Sequence, residues 1–199
     1  WSSDVCSSDL EVIVPGSELS QHISTAGTEA SGTSNMKFAM NGCLILGTMD
    51  GANIEIAEEI GEENMFIFGM ETDEIEGARV ARGTAAGPAL DPRFAAAVDQ
   101  IRAGIFGWAD YFSPLCDSIS PSQDFYCVSD DFASYIDAQE RVDKAYKDEA
   151  LWTKMSILSC AGSSKFSSDR TIREYAEEIW GVKPITRDAT GPKDGNVAR

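Results

Sequence analysis

The sequence predicts an α/β protein: a short parallel sheet with helices between its strands, followed by a helix-rich C-terminal half. The segments 12–14, 43–46 and 65–68 are short and wholly apolar, which is typical of strands buried on both faces. A helical pattern separates the last two segments, and alternating strands and helices favour parallel crossover connections. From residue 92 onward, apolar residues recur at three- and four-residue steps, the period of amphipathic helices.

In the N-terminal half, apolar segments mark the elements and small residues mark their ends. Met36 and Met40 indicate a short helix that ends at Asn41-Gly42, because glycine readily adopts the left-handed conformation of a helix C-terminus. Asp50 is interpreted as the N-cap of the next helix. The predicted elements are a strand at 12–14, a turn at Pro15-Gly16, a helix at 36–40, a strand at 43–46, a helix at 50–60, a strand at 65–68 and a helix at 73–82.

The C-terminal half is predicted to consist of helices joined by polar loops. The longest helix begins at Asp130 or Asp131, and the last helix, capped by Ser168-Asp169, carries an apolar stripe that includes Trp180 and should be exposed. The predicted order is a loop of small residues at 83–88, a helix at 92–101, an irregular loop at 113–123, the long helix to about residue 147, a helix at 151–161 and a helix at 168–180.

The two ends of the chain differ from the rest. Residues 1–10 repeat a Ser-Ser-Asp unit without helical or strand periodicity, and we interpret them as a non-native leader. The native chain would then enter at Glu11 in the middle of a protein, which indicates a fragment. Residues 185–199 are polar and contain glycine, so we expect a flexible tail.

Composition excludes several classes of partner. The 199 residues include 16 basic and 33 acidic side chains, a formal net charge of −17 that would repel nucleic acid and anionic lipid. No apolar run reaches the length of a membrane helix and no signal peptide is recognisable, so we expect a soluble intracellular protein. The five cysteines lack paired spacing, which argues against a zinc site or a disulfide framework.

The segment from Thr25 to Asn41 carries the chemistry, because a glycine-containing loop runs directly into a helix. The backbone N–H groups of Gly32, Thr33 and Ser34, with the two hydroxyls, suit a phosphate monoester at the start of that helix. Lys37 follows Thr33 by four residues, on the same helix face and ~6 Å further along the axis. This spacing suits a molecule with both a phosphate and an aldehyde, such as pyridoxal phosphate.

The neighbours of Lys37 also bear on its reactivity. Burial among Met36, Phe38 and Met40 would favour the neutral amine that imine formation requires. The same pattern, however, fits a plain helix cap with Lys37 in solvent, and spacing by itself leaves both interpretations open. His22, the single histidine, is interpreted as structural or solvated rather than as a catalytic acid or base.

Longer segments resemble a known family. The stretch Glu29-Ala-Ser-Gly-Thr-Ser-Asn-Met-Lys-Phe-Ala-Met-Asn41 resembles the pyridoxal-phosphate attachment segment of the glycogen, starch and maltodextrin phosphorylases. Similar segments follow in the family's order: Gly47-Thr-Met-Asp-Gly-Ala-Asn53, Gly61-Glu-Glu-Asn64, Tyr135-Ile-Asp-Ala-Gln-Glu-Arg-Val142 and Lys165-Phe-Ser-Ser-Asp-Arg-Thr-Ile172. Ser34 stands where animal members usually have glycine and plant-type members often have serine.

The resemblance implies a fold and a set of site residues. Residues 11–184 would be part of the C-terminal Rossmann-like lobe of a GT-B type glycosyltransferase. Lys37 would carry pyridoxal 5′-phosphate as a Schiff base, with Thr33 and Ser34 near the cofactor phosphate. The substrate-binding residues implied for the glucosyl unit are Glu29, Ala30, Ser31 and Gly32.

The resemblance also implies an activity. Such enzymes (EC 2.4.1.1) use orthophosphate to release glucose 1-phosphate from α-1,4-glucan with retained configuration, with the cofactor phosphate as proton donor and acceptor. They are homodimers, and plant-type members work in the cytoplasm or the plastid stroma. The fragment alone is expected to be inactive. Two alternatives are another pyridoxal-phosphate enzyme, such as a transaminase or decarboxylase, and a non-catalytic carbohydrate-binding remnant.

Overall fold

The computed structural model describes residues 10–29, 32–82 and 89–183. The chain divides into two compact units, and the division along the sequence falls between Ser164 and Lys165. The predicted leader up to residue 9, the predicted loop at 83–88 and the predicted tail at 185–199 lie outside the described residues. Only the first unit contains the segments that carry the sequence motif at Lys37, so the fold of that unit positions the candidate site.

A three-stranded parallel sheet forms the centre of the first unit. The strands β1 (Leu19–His22), β2 (Leu44–Gly47) and β3 (Phe66–Ile67) lie in the order β1-β2-β3, with both pairs parallel. The predicted α/β class and its parallel crossovers are therefore confirmed. Strand β2 is buried along its whole length, as its uninterrupted apolar sequence requires.

The helices fall where the sequence periodicity indicates, with few exceptions. The third predicted strand is shorter than the apolar segment that predicted it, although Met65 and Phe68 beside it are buried. The helices of the first unit are α1 (Ser34–Met40), α2 (Ala52–Ile60), α3 (Thr72–Arg82), α4 (Pro92–Arg102), α5 (Ala109–Ser118), α6 (Val128–Tyr146) and α7 (Glu149–Gly162).

The core of this unit joins the sheet to α6 and α7. Leu44 and Leu46 of β2 pack with Val142 of α6 and with Trp152 of α7. The Trp152 ring also stacks on Phe66, with ring centroids 6.2 Å apart. Each large side chain buried in this way contributes about 1.5–3 kcal/mol through removal of apolar surface from water. The helix-rich half of the sequence therefore covers one face of the sheet and holds the strand ends in place.

The predicted strand at 12–14 is wrong. Residues 10–13 form one helical turn, closed by a hydrogen bond from Val14 N to Leu10 O of 3.1 Å, and the side chains of Val12 and Ile13 are 73% and 51% exposed. The first strand lies instead at Leu19–His22, where the sequence is largely polar. Its backbone bonds to β2 stabilise it, and this long-range pairing is invisible to an apolar-run criterion.

The predicted irregular loop at 113–123 is also partly wrong. Helix α5 continues through Pro114 to Ser118. Proline removes one N–H, the group that would otherwise bond the carbonyl of Asp110. Burial of Cys116, which is 1% exposed, anchors this helix despite the missing bond.

The second unit is described between residues 165 and 183 and contains one helical segment. Helix α8 (Ser168–Glu174) continues as a π-helical turn over Tyr175–Trp180 and ends at Gly181, whose φ is +61°. Its N-cap is Ser167, without a side-chain capping bond, so the predicted Ser168-Asp169 cap is wrong. The predicted apolar stripe is exposed, as expected: Ile172, Tyr175, Ile179 and Trp180 are 45–68% accessible.

The described ranges contain no membrane-spanning helix, no metal-binding cluster and no disulfide. No helix there combines the length and the apolar character needed to cross a bilayer. No group of three or more His, Cys, Asp or Glu side chains in those ranges is arranged to hold a metal ion. Cys43, Cys116 and Cys127 are buried free thiols, and Cys160 is an exposed one.

Candidate active site

A polar cleft lies at the carboxyl ends of β1 and β2, beside the start of α1. Its empty volume is about 340 Å³. The described residues that line it are His22, Ser24, Glu29, Gly32, Ser34, Asn35, Thr48, Asp50 and Asn53. Hydroxyls, amides and carboxylates dominate this lining, and these groups can donate to or accept from the hydroxyls of a carbohydrate.

Hydrogen bonds to the end of β2 hold the loop that follows β1. The Thr48 hydroxyl donates to Ser24 O at 2.7 Å. Oδ2 of Asp50 accepts from Thr28 N at 3.1 Å and from Glu29 N at 2.8 Å. The loop is therefore fixed at both ends, and Glu29 enters the cleft from a tethered backbone.

Asp50 does not cap α2, contrary to the sequence prediction. The N-cap is Gly51, which makes no side-chain capping bond, and its φ of +51° is readily adopted only by glycine. The Asp50 carboxylate instead satisfies the N–H groups of the 28–29 loop and of Gly51. The buried Asp50 carboxylate needs hydrogen-bond donors, and these donors from the distant 28–29 loop decide the orientation of its side chain.

The start of α1 forms the opposite wall of the cleft. Gly32 has φ +74°, and an added Cβ would lie 3.5 Å from Glu29 Oε1, so the Glu29 carboxylate sits close to this turn. Asn35 is buried and its side-chain amide donates to Asn53 Oδ1 at 2.9 Å. The Thr33 hydroxyl makes no capping bond to α1 and remains available to a ligand.

Lys37 lies one helical turn beyond Thr33, as the spacing predicts. Its backbone N donates to Thr33 O at 3.3 Å. The predicted burial of its side chain is wrong: Lys37 is exposed, and Met36 and Phe38 beside it are only partly buried. The packed face of α1 is formed by Asn35 and Ala39, about 200° around the helix from Lys37, so the lysine points away from the core.

The structure brings some of the predicted site residues together and leaves others apart. Glu29, Gly32 and Ser34 line one cleft. Thr33 and Lys37 lie beside it on α1 without lining it. Ala30 and Ser31, the other two predicted substrate contacts, lie outside the described residues. Across the described ranges, the Lys37 ammonium group has no hydrogen-bond or ion-pair partner.

His22 lies at the edge of the cleft and is half-buried. Its Nε2 is 2.9 Å from the Ser20 hydroxyl, and its ring packs edge-on against Phe38. Burial lowers the pKa of His22 from the ordinary 6.5, and the nearby negative charge of Glu29 opposes this shift only in part. The interpretation of His22 as a structural residue agrees with these contacts.

The lowered pKa of His22 predicts a pH effect on stability. As the pH falls below 6.5, the unfolded chain takes up the proton before the folded chain does, so the folded state loses stability until the pH passes the folded-state pKa. We expect His22→Gln to reduce this loss. Urea unfolding of both chains between about pH 8 and about pH 5 measures the difference, and parallel pH dependences of the two chains would contradict it.

A second, larger cavity lies on the other side of the loop after β1. Its empty volume is about 950 Å³ and Ser24 borders both cavities. Its lining is mainly apolar and aromatic, including Phe68, Tyr126 and Phe132. The smaller cleft concentrates polar groups and is lined by Glu29, Gly32 and Ser34 of the motif, so it is the better candidate for binding a polyhydroxyl substrate.

Sequence reasoning missed four residues that organise the cleft. Asn35, Thr48 and Asn53 are buried and hydrogen-bonded to one another or to the loop, and Asp50 holds the loop directly. A signal was present, because Thr48 and Asp50 come just after the apolar strand β2 and Asn53 lies at the start of the helix that follows. Polar residues beyond the carboxyl end of a parallel strand are typical of ligand-binding crevices.

Fold and cleft together define an α/β protein with a polar cleft beside a lysine-bearing helix. Comparison with known proteins narrows this class. Residues 2–182 match the family model for carbohydrate phosphorylases. The chain belongs to the carbohydrate phosphorylase family.

Plant proteins show the same relationship at the level of individual sequences. The chain is 59% identical over 177 residues to the α-glucan phosphorylase H isozyme of Triticum aestivum, covering 86% of this chain and 21% of the relative. It is 57% identical to the cytosolic α-glucan phosphorylase 2 of Arabidopsis thaliana (87% and 21%). It is 55% identical to the chloroplastic/amyloplastic L-2 isozyme of Solanum tuberosum (88% and 18%). The chain thus spans about a fifth of the length of these curated relatives.

Proposed function

We propose that this chain is part of an α-1,4-glucan phosphorylase (EC 2.4.1.1), which transfers a glucosyl unit from glucan to orthophosphate. The observation that carries the proposal is the polar cleft in which Glu29 faces the start of α1, in a chain that matches the phosphorylase family over residues 2–182. In this reaction an orthophosphate oxygen bonds to the glucosyl carbon as the glycosidic bond breaks, and glucose 1-phosphate leaves with retained configuration.

The residues at the start of α1 fit pyridoxal 5′-phosphate. First-turn N–H groups lack partners within a helix, and the exposed hydroxyls of Thr33 and Ser34 add further donors for a phosphate. The exposed amine of Lys37, one turn away, can bond covalently to the cofactor aldehyde. When bound, the cofactor supplies a phosphate group that donates and accepts a proton near the substrate phosphate.

The protein's own residues bind and orient the sugar. Glu29 accepts from the Ser24 hydroxyl at 3.0 Å, which leaves its other oxygen for a substrate hydroxyl. Gly32 lets the backbone turn beside the cleft, because its φ of +74° is a conformation that residues with a side chain rarely adopt. Ala30 and Ser31 belong to the same proposed contact set. A loop fixed by partly buried hydrogen bonds holds these groups in one geometry, and such positioning accelerates the reaction.

The proposal also covers the lobe to which the chain belongs, the substrates, the oligomeric state and the compartment. The three parallel strands fit part of the C-terminal Rossmann-like lobe of a GT-B type enzyme, with residues 11–184 in that lobe. The substrates are α-1,4-glucan, orthophosphate and glucose 1-phosphate, and the full-length enzyme is a homodimer. The similar plant proteins include cytosolic and plastidial isozymes, so either compartment suits this chain.

A chimera tests the proposed function. Residues 11–182 replace the matching segment of the Triticum aestivum H isozyme, and the purified chimera is assayed for glucose 1-phosphate release from maltodextrin. We expect phosphorolysis by the chimera and none by the 199-residue chain alone. A folded chimera that contains cofactor and releases no glucose 1-phosphate would refute the proposal.

The same chimera distinguishes the proposed phosphorylase from another pyridoxal-phosphate enzyme and from a non-catalytic carbohydrate-binding remnant. Amino-acid substrates in place of glucan test a transaminase or decarboxylase. Borohydride reduction followed by peptide mapping shows whether cofactor is attached at Lys37. Glucan binding by a chimera that acquires no cofactor would identify a non-catalytic carbohydrate-binding remnant.

Glu29→Gln in the chimera tests the substrate contact. A hydrogen bond to a charged group contributes about 1.5–3 kcal/mol, so we expect kcat/KM for phosphorolysis to fall about 10- to 100-fold. Cofactor content should stay unchanged. The matched control is Glu62→Gln, an exposed carboxylate outside the cleft, which should leave kcat/KM unaltered. Equal effects of Glu29→Gln and Glu62→Gln on kcat/KM would show that Glu29 does not contact the substrate.

A further inference from the structure

The Asp50 carboxylate is buried, 7% exposed, and it reaches back across the cleft to the loop that carries Glu29. It accepts three backbone N–H groups: those of Thr28 and Glu29 through Oδ2, and that of Gly51 through Oδ1. Among the described residues no cation pairs with it. A buried carboxylate held only by N–H donors is costly unless all of its bonds are well formed, so this geometry is tightly defined.

A second chain of hydrogen bonds ties the same loop to α1. Asn35 donates to Asn53 Oδ1, Asn53 donates to Thr48 O at 2.9 Å, and the Thr48 hydroxyl donates to Ser24 O. Each member is buried or half-buried. These hydrogen bonds connect both the loop bearing Glu29 and the helix bearing Lys37 to the carboxyl end of β2.

We propose that Asp50 is a positioning residue, which acts through the 28–29 peptide to aim the Glu29 carboxylate at the sugar. The inference rests on the proposed phosphorylase function. Asp50 Oδ2 accepts from Thr28 N and from Glu29 N, so it fixes the orientations of the 27–28 and 28–29 peptides, and the direction of the Glu29 side chain follows from this backbone. Without these two hydrogen bonds the backbone at Glu29 can rotate, and the Glu29 carboxylate then no longer points at the sugar.

The test is a double-mutant cycle in the chimera with Asp50→Asn and Glu29→Gln. We expect Asp50→Asn to lower kcat/KM about tenfold, mainly by raising KM for glucose 1-phosphate in the synthetic direction. In the Glu29→Gln background the same change should have almost no further effect, because the group it aims is already impaired. A purely structural role would give additive losses and lower cofactor content.

Monodeoxy analogues of glucose 1-phosphate add a second measurement. The analogue that lacks the hydroxyl bound by Glu29 should be rejected by the parent chimera and less strongly by Asp50→Asn. Asp143→Asn, which changes an exposed carboxylate on α6, serves as the control. An inactive parent chimera would refute the proposed function, whereas an active parent with additive losses would refute the role of Asp50.

Discussion

Replacing Lys37 with alanine is expected to abolish covalent cofactor attachment and to lower phosphorolysis by at least about 100-fold in the chimera. The side chain is exposed on α1, one turn beyond Thr33, and its ammonium group is unpaired within the described ranges. In the proposed site it is therefore available to react with an aldehyde whose phosphate would lie at the helix start. Loss of the tether removes both attachment and alignment.

Two control variants make this result specific. Lys37→Arg keeps the charge but cannot bond covalently to the aldehyde, so it should fail like alanine. Lys144→Ala, an exposed lysine on α6, should retain cofactor and activity. The measurements are cofactor absorbance, the borohydride-labelled peptide map and the rate of glucose 1-phosphate release. A labelled peptide that excludes residue 37 would overturn the assignment.

The exposure of Lys37 changes the expected source of its desolvation. The desolvation that the sequence indicated for Lys37 is not provided by Met36, Phe38 or Met40 in this chain, because α1 packs through Asn35 and Ala39. Any desolvation of the amine therefore has to come from groups outside its own helix, including the bound cofactor itself. Cofactor attachment consequently depends on more than the local motif.

Arg82→Leu is expected to destabilise the first unit by about 3–5 kcal/mol, because it leaves buried carboxylates without their cation. Arg82 is 5% exposed at its side chain and forms ion pairs with Asp124, at 2.8 Å, and with Asp130. It also donates to the Asp124 carbonyl. Asp124 in turn accepts from Val128 N and Ser129 N at the start of α6.

Equilibrium unfolding in urea, followed by the far-ultraviolet helical signal, measures this loss. Arg82→Leu combined with Asp124→Asn should recover part of the stability, because the second change removes the unpaired charge while keeping an acceptor for α6. Arg102→Leu breaks an exposed ion pair with Asp117 and should shift the unfolding midpoint little. Equal losses in Arg82→Leu and Arg102→Leu would show that burial of the pair is unimportant.

Elements with strong local signals could be predicted from the sequence. Helix α4 begins at Pro92 after Asp91, whose side chain accepts from Arg93 N, and the apolar run that became β2 is displaced by one residue only. Strand β1 could not be predicted in this way. Its Leu-Ser-Gln-His sequence has no apolar alternation, and its pairing with a strand 25 residues later, Leu19 with Leu44, defines it.

Part of the candidate site could also be predicted from the sequence, and part of it could not. The motif itself, with Glu29, Gly32, Ser34 and Lys37 at fixed spacing, was readable from the sequence and agrees with the family that the comparisons identify. The role of Asp50 was not readable, because a carboxylate before a helix has the same local pattern whether it caps that helix or bonds a loop elsewhere.

The sequence by itself determined the α/β class, the order of most helices and the family segments, because these depend on periodicity and on residue type along the chain. Only the tertiary structure decided which way Lys37 faces, which strand lies beside β2 and what the Asp50 carboxylate holds. Each of these outcomes depends on hydrogen bonds and packing between residues far apart in the chain. Such contacts compete with local preference, and they prevail where a buried polar group, such as the Asp50 carboxylate, needs a partner.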